Sequence, residues 1–327
     1  MKKIAVLLGM ALLLGACDSD KRLFQEAKLA TSQGKLTQAI QIYGRLIKKN
    51  PRHFAAYTNR GILWERVPVK DAKELVKNRS FAEEDYLKSL EINPRQPETY
   101  NNLGALYLDS KNYNGAIFNF TQALAFRPNY FMALMNRGIA YSRMGDMISA
   151  LADFSKAEKI SVTEPLLFLN RGLAYYEMGQ YESAVSDFSR VLDLDPDNAR
   201  AYLERARALI KLQYPADAYS DLETAVALKP SYALAYYYLG DLTFRRGEKE
   251  QALAFLVRSK ELASKYVPTY ELMGDMLAME DPIAAVANYQ VALKLDPAHA
   301  KRYERKMELM KTEEGRDRVL GNRFFPR

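Results

Sequence analysis

Few side chains in this sequence are of the kinds that perform catalysis. The two histidines, His53 and His299, lie far apart along the chain, and the one cysteine is Cys17. A catalytic triad needs a nucleophile, a base and an orienting group in contact, and a zinc site needs clustered Cys or His ligands. Carboxylate pairs such as Glu83 and Glu84 fall on helix faces that we expect to be exposed, without an apolar pocket to raise a carboxyl pKa. We therefore predict that the protein is not an enzyme and binds no metal and no cofactor.

The position of Cys17 indicates a different chemistry for its thiol. Two lysines precede an apolar stretch of 11 residues, 4–14, which is too short to span a bilayer and is typical of a signal peptide. The sequence Leu-Gly-Ala directly before Cys17 resembles the lipobox of bacterial lipoproteins. That resemblance implies removal of residues 1–16, lipidation of Cys17 and a short lipidated tether over residues 17–19. The alternative is a free or buried thiol behind an ordinary signal sequence.

The basic charge of the chain is concentrated near its C-terminal end. The net charge is +7, and residues 300–327 contain nine basic and five acidic side chains. Between the two leader lysines and residue 300, 36 basic residues face 35 acidic ones. A nucleic-acid-binding domain carries its excess positive charge on a face of the folded body. The charge distribution therefore argues against a nucleic-acid partner.

A layout of about 34 residues recurs along the chain. In the copy at 165–198 it consists of an aromatic, a glycine and a tyrosine in a first helix, an alanine and an aromatic in a second, and a closing proline: Phe168, Gly172, Tyr175, Ala184, Phe188 and Pro196. Spacings of three, four and seven place apolar residues on one helix face, and the small residues let two helices approach closely. The predicted copies are 20–53, 54–96, 97–130, 131–164, 165–198, 199–232, 233–266 and 267–299.

This layout resembles the tetratricopeptide repeat, whose consensus has the same residue types at the same spacing. The resemblance implies an all-α fold, a right-handed α-solenoid of about eight helix-turn-helix repeats, with a capping helix over 300–314. We expect 315–327 to be a basic flexible tail. The second copy carries nine extra residues near 67–79. They are expected to extend its first helix or to form a loop, which is either a contact site or a tolerated surface insertion.

The resemblance also implies a concave groove, lined by the first helices, that binds a protein or peptide. In the family, an asparagine at the sixth repeat position commonly binds the backbone of a peptide; the alternative here is that it serves helix packing. The apolar residues of the middle copies are expected to form an exposed patch, unless neighbouring parts of the superhelix cover them. The predicted partner-binding residues are Asn59, Asn102, Met135, Asn136, Ile139, Arg143, Leu169, Asn170, Leu173, Tyr176, Leu203, Arg207, Tyr237 and Phe244.

These features together predict a lipid-anchored scaffold or adaptor of the bacterial cell envelope, facing the periplasm. Its layout is similar to that of repeat lipoproteins that act as type IV pilus pilotins or as adaptors for murein hydrolases. The alternative is an envelope lipoprotein that holds a small apolar ligand inside the superhelix. The sequence leaves open the partner, the choice between inner and outer membrane, and the oligomeric state.

Overall fold

The computed structural model describes residues 19–324, and side chains over residues 19–321. All regular secondary structure in this range is helical, which confirms the predicted all-α class. The chain divides into two compact units, Met1–Val162 and Thr163–Arg327. The predicted signal peptide and the predicted lipidation site, Cys17, lie outside the described residues. The predicted tether is described only at Ser19, which already belongs to the first helix.

The described part of the first unit consists of consecutive antiparallel helix pairs. Helix α1 covers residues 19–32. It is followed by α2 (Leu36–Lys49), α3 (Phe54–Arg66), α4 (Ala72–Ile92), α5 (Pro97–Asp109), α6 (Tyr113–Phe126), α7 (Phe131–Met144) and α8 (Met147–Glu158). Each odd-numbered helix packs against the next even-numbered one in α3–α4, α5–α6 and α7–α8. Two helices therefore fall within each predicted repeat of this unit.

The second unit continues the same alternation and ends in two further helices. Its helices are α9 (Pro165–Glu177), α10 (Tyr181–Leu194), α11 (Ala199–Lys211), α12 (Pro215–Leu228), α13 (Ala233–Arg245), α14 (Lys249–Leu262), α15 (Val267–Leu277), α16 (Pro282–Leu295), α17 (Ala300–Leu309) and α18 (Glu313–Phe324), with a short 3-10 helix at Pro297–His299. In α9, α12, α15 and α16 a proline stands in the first turn, where its missing N–H costs no helical hydrogen bond. The handedness of the solenoid and the number of repeats stay predictions.

The contact between Gly172 and Phe188 shows why the repeat pattern needs a small residue in each first helix. A Cβ atom on Gly172 of α9 would lie 2.7 Å from Cε1 of Phe188 on α10. Phe188 itself is fully buried. The aromatic ring therefore packs directly on the backbone of the first helix, and this close approach is what the recurring pattern encodes.

A second recurring contact between the paired helices is a buried ion pair that the sequence pattern did not reveal. In the sixth repeat, Nε and Nη2 of Arg205 donate to the two carboxylate oxygens of Asp221, each at 2.7 Å. Nη1 of Arg205 also donates to Ser189 on α10 at 3.0 Å, so one side chain joins three helices. The Asp221 carboxylate raises the pKa of Arg205 above its ordinary value. The same bidentate ion pair recurs in three other repeats, as Arg60–Asp85, Arg137–Asp153 and Arg171–Asp187.

Two predicted segments differ in the structure. The nine-residue insertion lengthens the second helix of its repeat, not the first: α3 ends at Arg66, and α4 begins at Ala72 after Asp71 caps it by accepting from the Glu74 N–H at 2.8 Å. The predicted flexible tail, 315–327, is helical as far as Phe324, and the predicted cap, 300–314, is divided between α17 and the start of α18.

Candidate functional site

The first-helix face of the second unit is the surface formed by α9, α11, α13 and α15. Within it, α9 packs against α11, and α13 packs against α15. These helices carry all the predicted groove residues of the second unit. Because both partner and core contacts come from the same helices, the burial of each side chain decides which role it has.

Four of the predicted partner-binding residues are core residues, which corrects the prediction of an exposed apolar patch. Met135, Leu169, Leu203 and Phe244 are only 5%, 4%, 1% and 2% exposed. Leu203 packs among alanines and leucines of α11, α12 and α13, and Phe244 packs against residues of α14, α15 and α18. Burial of apolar area between adjacent helices is favourable, so these side chains stabilise the stack and do not reach a partner.

The other predicted residues retain some contact with solvent. Those that are half-buried are Asn59, Asn102, Asn136, Ile139, Asn170, Leu173, Tyr176, Arg207 and Tyr237, and Arg143 is exposed. Two of the asparagines use their amide groups within the protein. Nδ2 of Asn136 donates to Oδ1 of Asn101 at 3.2 Å, and Nδ2 of Asn170 donates to the carbonyl oxygen of Leu166 at 2.7 Å. These bonds favour the packing role for the two asparagines; their role toward a partner stays a prediction.

Three predicted residues come together on the first-helix face of the second unit. The guanidinium carbon of Arg207 on α11 lies 4.6 Å from the ring centroid of Tyr176 on α9. Tyr237 on α13 meets Tyr266 at 5.4 Å between ring centroids, with the rings nearly perpendicular. Tyr238 lies 5.2 Å from Tyr237 by ring centroids, and its phenol is one of the groups that raise the pKa of Arg207. We call these five residues the Arg207 cluster.

The charge of Arg207 is held in place by its surroundings. Burial alone lowers the pKa of Arg207, but Glu204 and the phenol groups of Tyr176 and Tyr238 raise it well above its ordinary value. Nη1 of Arg207 donates to Oε2 of Glu204 one helical turn earlier. Burial raises the pKa of Tyr176, so this phenol stays protonated at neutral pH and can donate a hydrogen bond. The cluster thus presents a permanent cation and phenol donors beside aromatic faces.

The first-helix face also carries buried carboxylates that the repeat pattern does not mark. Glu204, Asp241 and Glu271 lie on α11, α13 and α15 and are 7%, 6% and 7% exposed. Asp241 accepts from Nε of Arg245 at 2.9 Å, and Glu271 pairs with Lys306 of α17 at 2.7 Å. An acidic residue with a cation three or four positions later on α11 and α13 is a signal that the sequence does contain.

No group of three or more His, Cys, Asp or Glu side chains in the described part of the chain is placed to hold a metal ion. Among the helices described between residues 19 and 324, none combines the length and the apolar composition needed to cross a membrane.

Comparisons with known families match several stretches of the chain. Family models described as "Tetratricopeptide repeat" match residues 97–130 and, for a second model, residues 24–66 and 203–266. A model described as "TPR repeat" matches residues 172–213. A human protein, Protein O-mannosyl-transferase TMTC3, is 30% identical over 111 residues, which cover 33% of this chain. The chain spans only 11% of the length of that curated relative.

Solved structures show the same fold at low sequence identity. A tetratricopeptide repeat protein from Parabacteroides merdae is similar with a TM-score of 0.57 and 20% identity, covering 78% of this chain and 98% of that one. The Pseudomonas aeruginosa protein pilF is similar with a TM-score of 0.57 and 18% identity, covering 68% of this chain and 96% of that one. At such identities the likeness concerns the arrangement of helices alone.

Proposed function

Because the chain belongs to the tetratricopeptide repeat family, we propose that it is a protein-interaction scaffold whose second unit binds a segment of a partner protein at the Arg207 cluster. The observation that carries this proposal is the stacking of a half-buried Arg207 on Tyr176 at the first-helix face. Tyrosine and arginine dominate the binding energy of protein interfaces, because they combine apolar area with oriented donors. Both side chains of this pair are only half-buried, so a partner can reach them.

The partner segment that suits this cluster is an extended or helical peptide with an acidic or carbonyl acceptor and an aromatic or apolar neighbour. The acceptor of the peptide would accept hydrogen bonds from the remaining guanidinium and phenol donors. The aromatic or apolar side chain of the peptide would pack on the tyrosine rings. The apolar patch first predicted from the sequence is not needed for this mode. The half-buried Leu173 of the same unit stays a candidate contact.

The wider setting that we propose is the bacterial cell envelope, with the protein anchored through a lipid on Cys17 and facing the periplasm. Support comes from the sequence of residues 4–17 alone. The partner would then be a component of a pilus system, as for pilotins, or a murein hydrolase, as for adaptors. The fold likeness to pilF does not select between them, because it reflects helix arrangement only.

The partner site is tested by photo-crosslinking in cells. A photoreactive phenylalanine analogue replaces Tyr176, and in a matched control it replaces Tyr214, which is 55% exposed at the start of α12. We expect a discrete crosslinked species from position 176 and not from position 214. Arg207→Lys keeps a cation beside Glu204 but loses the planar group stacked on Tyr176, and should weaken the crosslink several-fold. Equal crosslinks at 176 and 214 would contradict the proposal.

The lipid anchor is tested separately with Cys17→Ala. The unsubstituted protein should incorporate labelled palmitate and remain with the membrane fraction, and the variant should do neither. Labelling that persists in Cys17→Ala would reject the anchor without touching the partner site. A small molecule bound at one-to-one stoichiometry in native mass spectra would instead support the alternative of a ligand-binding lipoprotein.

A further inference from the structure

A cavity lies at the C-terminal end of the second unit, away from the Arg207 cluster. Its volume is about 560 Å³, and its lining comes from the first turns of α16, from α17 and from the two residues after α17. The apolar lining residues are Pro282, Ile283, Val286, Met307 and Met310. Ile283 is 84% exposed, and burial of such a side chain would contribute about 2 kcal/mol. An apolar cavity with a protruding isoleucine at its edge is a surface without a partner.

The repeat geometry explains which element would cover this surface. In the sixth repeat, Tyr219 directly follows the second-helix alanine, Ala218. The next repeat covers it: Nε2 of Gln251 on α14 approaches the Tyr219 hydroxyl at 3.4 Å, and Arg246 lies 4.1 Å above its ring. In the eighth repeat, Val286 follows Ala285 in the same way, but it lines the cavity. The cavity is therefore the place where the second helix of a further repeat would begin.

The helix that follows in the chain does not take that place. Helix α17 stands where a ninth first helix is expected and packs against α16. Helix α18 then turns toward α15. Its Leu320 packs with the cluster that contains Phe244 and Leu272, and its Val319 belongs to a cluster with Ala285 of α16. The lining residues of the cavity include none from the described part of α18. In the described structure, no second helix packs beside α17 at this position, so an apolar groove remains there.

We propose that this cavity binds an amphipathic helix of a partner protein, which takes the place of the missing second helix. We call this cavity the terminal groove, defined by the five apolar residues above. Its polar edge is formed by Glu304, Glu308 and Lys311. Glu308 pairs with Lys311 at 2.6 Å, and Glu304 makes no ion pair with any described residue. The charge of the edge therefore suits a helix with an apolar stripe bordered by lysine or arginine.

Helix α18 does not supply this helix, because it packs toward α15. Helix α18 has 12 residues and leads about 18 Å away from the turn at residue 311. The terminal groove is also distinct from the first-helix face, so this inference does not rest on the proposed function.

The test uses a fluorescent peptide with the sequence of α14, Lys249–Leu262, as a probe helix. The residues of this second helix that are buried in the protein, Ala252, Leu256 and Ser259, form one stripe, and the helix has one more basic than acidic residue. Fluorescence anisotropy with the full chain should show saturable binding. Ile283→Asp should weaken it at least tenfold, whereas Ile148→Asp, at a residue 75% exposed on α8, should not. The same peptide with Leu256→Asp should bind at least tenfold more weakly, because its stripe is broken.

The charge of the partner is tested with Glu304→Gln. This substitution should weaken peptide binding several-fold at low salt and reduce the salt dependence. Circular dichroism should show unchanged helix content for each variant, since the substituted side chains are exposed. Absence of saturable binding by the unsubstituted chain, or equal binding by Ile283→Asp, would overturn the proposal. A dimer in sedimentation velocity that Ile283→Asp dissociates, without peptide binding, would show instead that a second copy covers the cavity.

Discussion

At the scale of single residues, two opposing effects on stability act at each glycine against which an aromatic ring packs. Glycine lowers helix stability by about 1 kcal/mol relative to alanine, because its backbone loses more freedom on folding. At Gly172, however, a Cβ atom would come within 2.7 Å of Phe188, and real Cβ atoms do not approach an aromatic carbon so closely. The buried ring has no free volume into which it can move. Overpacking therefore outweighs helix propensity at this site.

Gly172→Ala is expected to lower the free energy of unfolding by up to about 2 kcal/mol, which is an overpacking cost of about 1–3 kcal/mol less a gain of about 1 kcal/mol in helix propensity. The matched control is Gly321→Ala on α18, where nothing lies within 4 Å of the added Cβ atom. There only the propensity remains, so the control should be neutral or slightly stabilising. Urea unfolding followed by circular dichroism measures both. A stabilised Gly172→Ala variant would show that the ring is not packed on the glycine.

The ion pair of Arg205 and Asp221 gives a second prediction at this scale. Asp221 is 6% exposed, so Arg205→Met leaves a buried carboxylate without its cation. Breaking a buried pair in this way costs about 3–5 kcal/mol, whereas replacing both partners with apolar residues is often neutral. The double variant Arg205→Met, Asp221→Leu should therefore recover most of the stability. Thermal unfolding of the two variants and the unsubstituted protein decides this, and equal destabilisation of both variants would contradict it.

At the scale of elements, α17 is fixed to α15 by charge. Glu271 is 7% exposed, and burial alone raises its pKa, but Lys306 and Arg302 outweigh this and hold the pKa below its ordinary value of 4.5. The unfolded chain therefore binds more protons than the folded protein near that pH. The stabilisation from Glu271 is present above about pH 4.5 and is lost as the pH falls through the lowered pKa of the folded state.

We expect the stability of the unsubstituted protein to fall more steeply from pH 5 to about pH 3 than that of Glu271→Gln, which has no charge to lose. Glu304→Gln is the control, because Glu304 is exposed and makes no ion pair in the described structure. Its pH profile should match that of the unsubstituted protein. Urea unfolding at a series of pH values provides the comparison. Parallel profiles for all three proteins would mean that Glu271 does not anchor α17.

The elements also show how far the sequence could be interpreted. The pairing of α9 with α10 followed from small and aromatic residues at fixed spacing, because that contact lies within one repeat. The helical state of α18 did not follow, since its two inward apolar residues, Val319 and Leu320, find their partners on α15 and α16. The sequence left the burial of Leu203 and Phe244 as an alternative only, because helices of neighbouring repeats cover them. Periodicity shows which side of a helix is apolar, but not what covers it.

At the scale of the whole molecule, contacts gather into two units that meet in sequence between Val162 and Thr163. In a repeat protein each repeat is stabilised by its immediate neighbours. A substitution therefore destabilises other repeats only where the contacts between repeats are strong. Local unfolding in one unit is therefore expected not to extend into the other unit. The predicted single solenoid would be cooperative along its whole length, whereas two units should lose protection separately.

Hydrogen exchange can distinguish these cases with one substitution in each unit. Gly172→Ala should reduce amide protection in α9–α14 of the second unit and leave α3–α6 protected. Gly104→Ala, whose Cβ atom would lie 2.6 Å from Phe120, should do the reverse, because the strain then falls in the first unit. The two variants serve as controls for each other, since the same atom is added at the same repeat position. Equal loss of protection in both units from either variant would mean that the chain unfolds as one cooperative body.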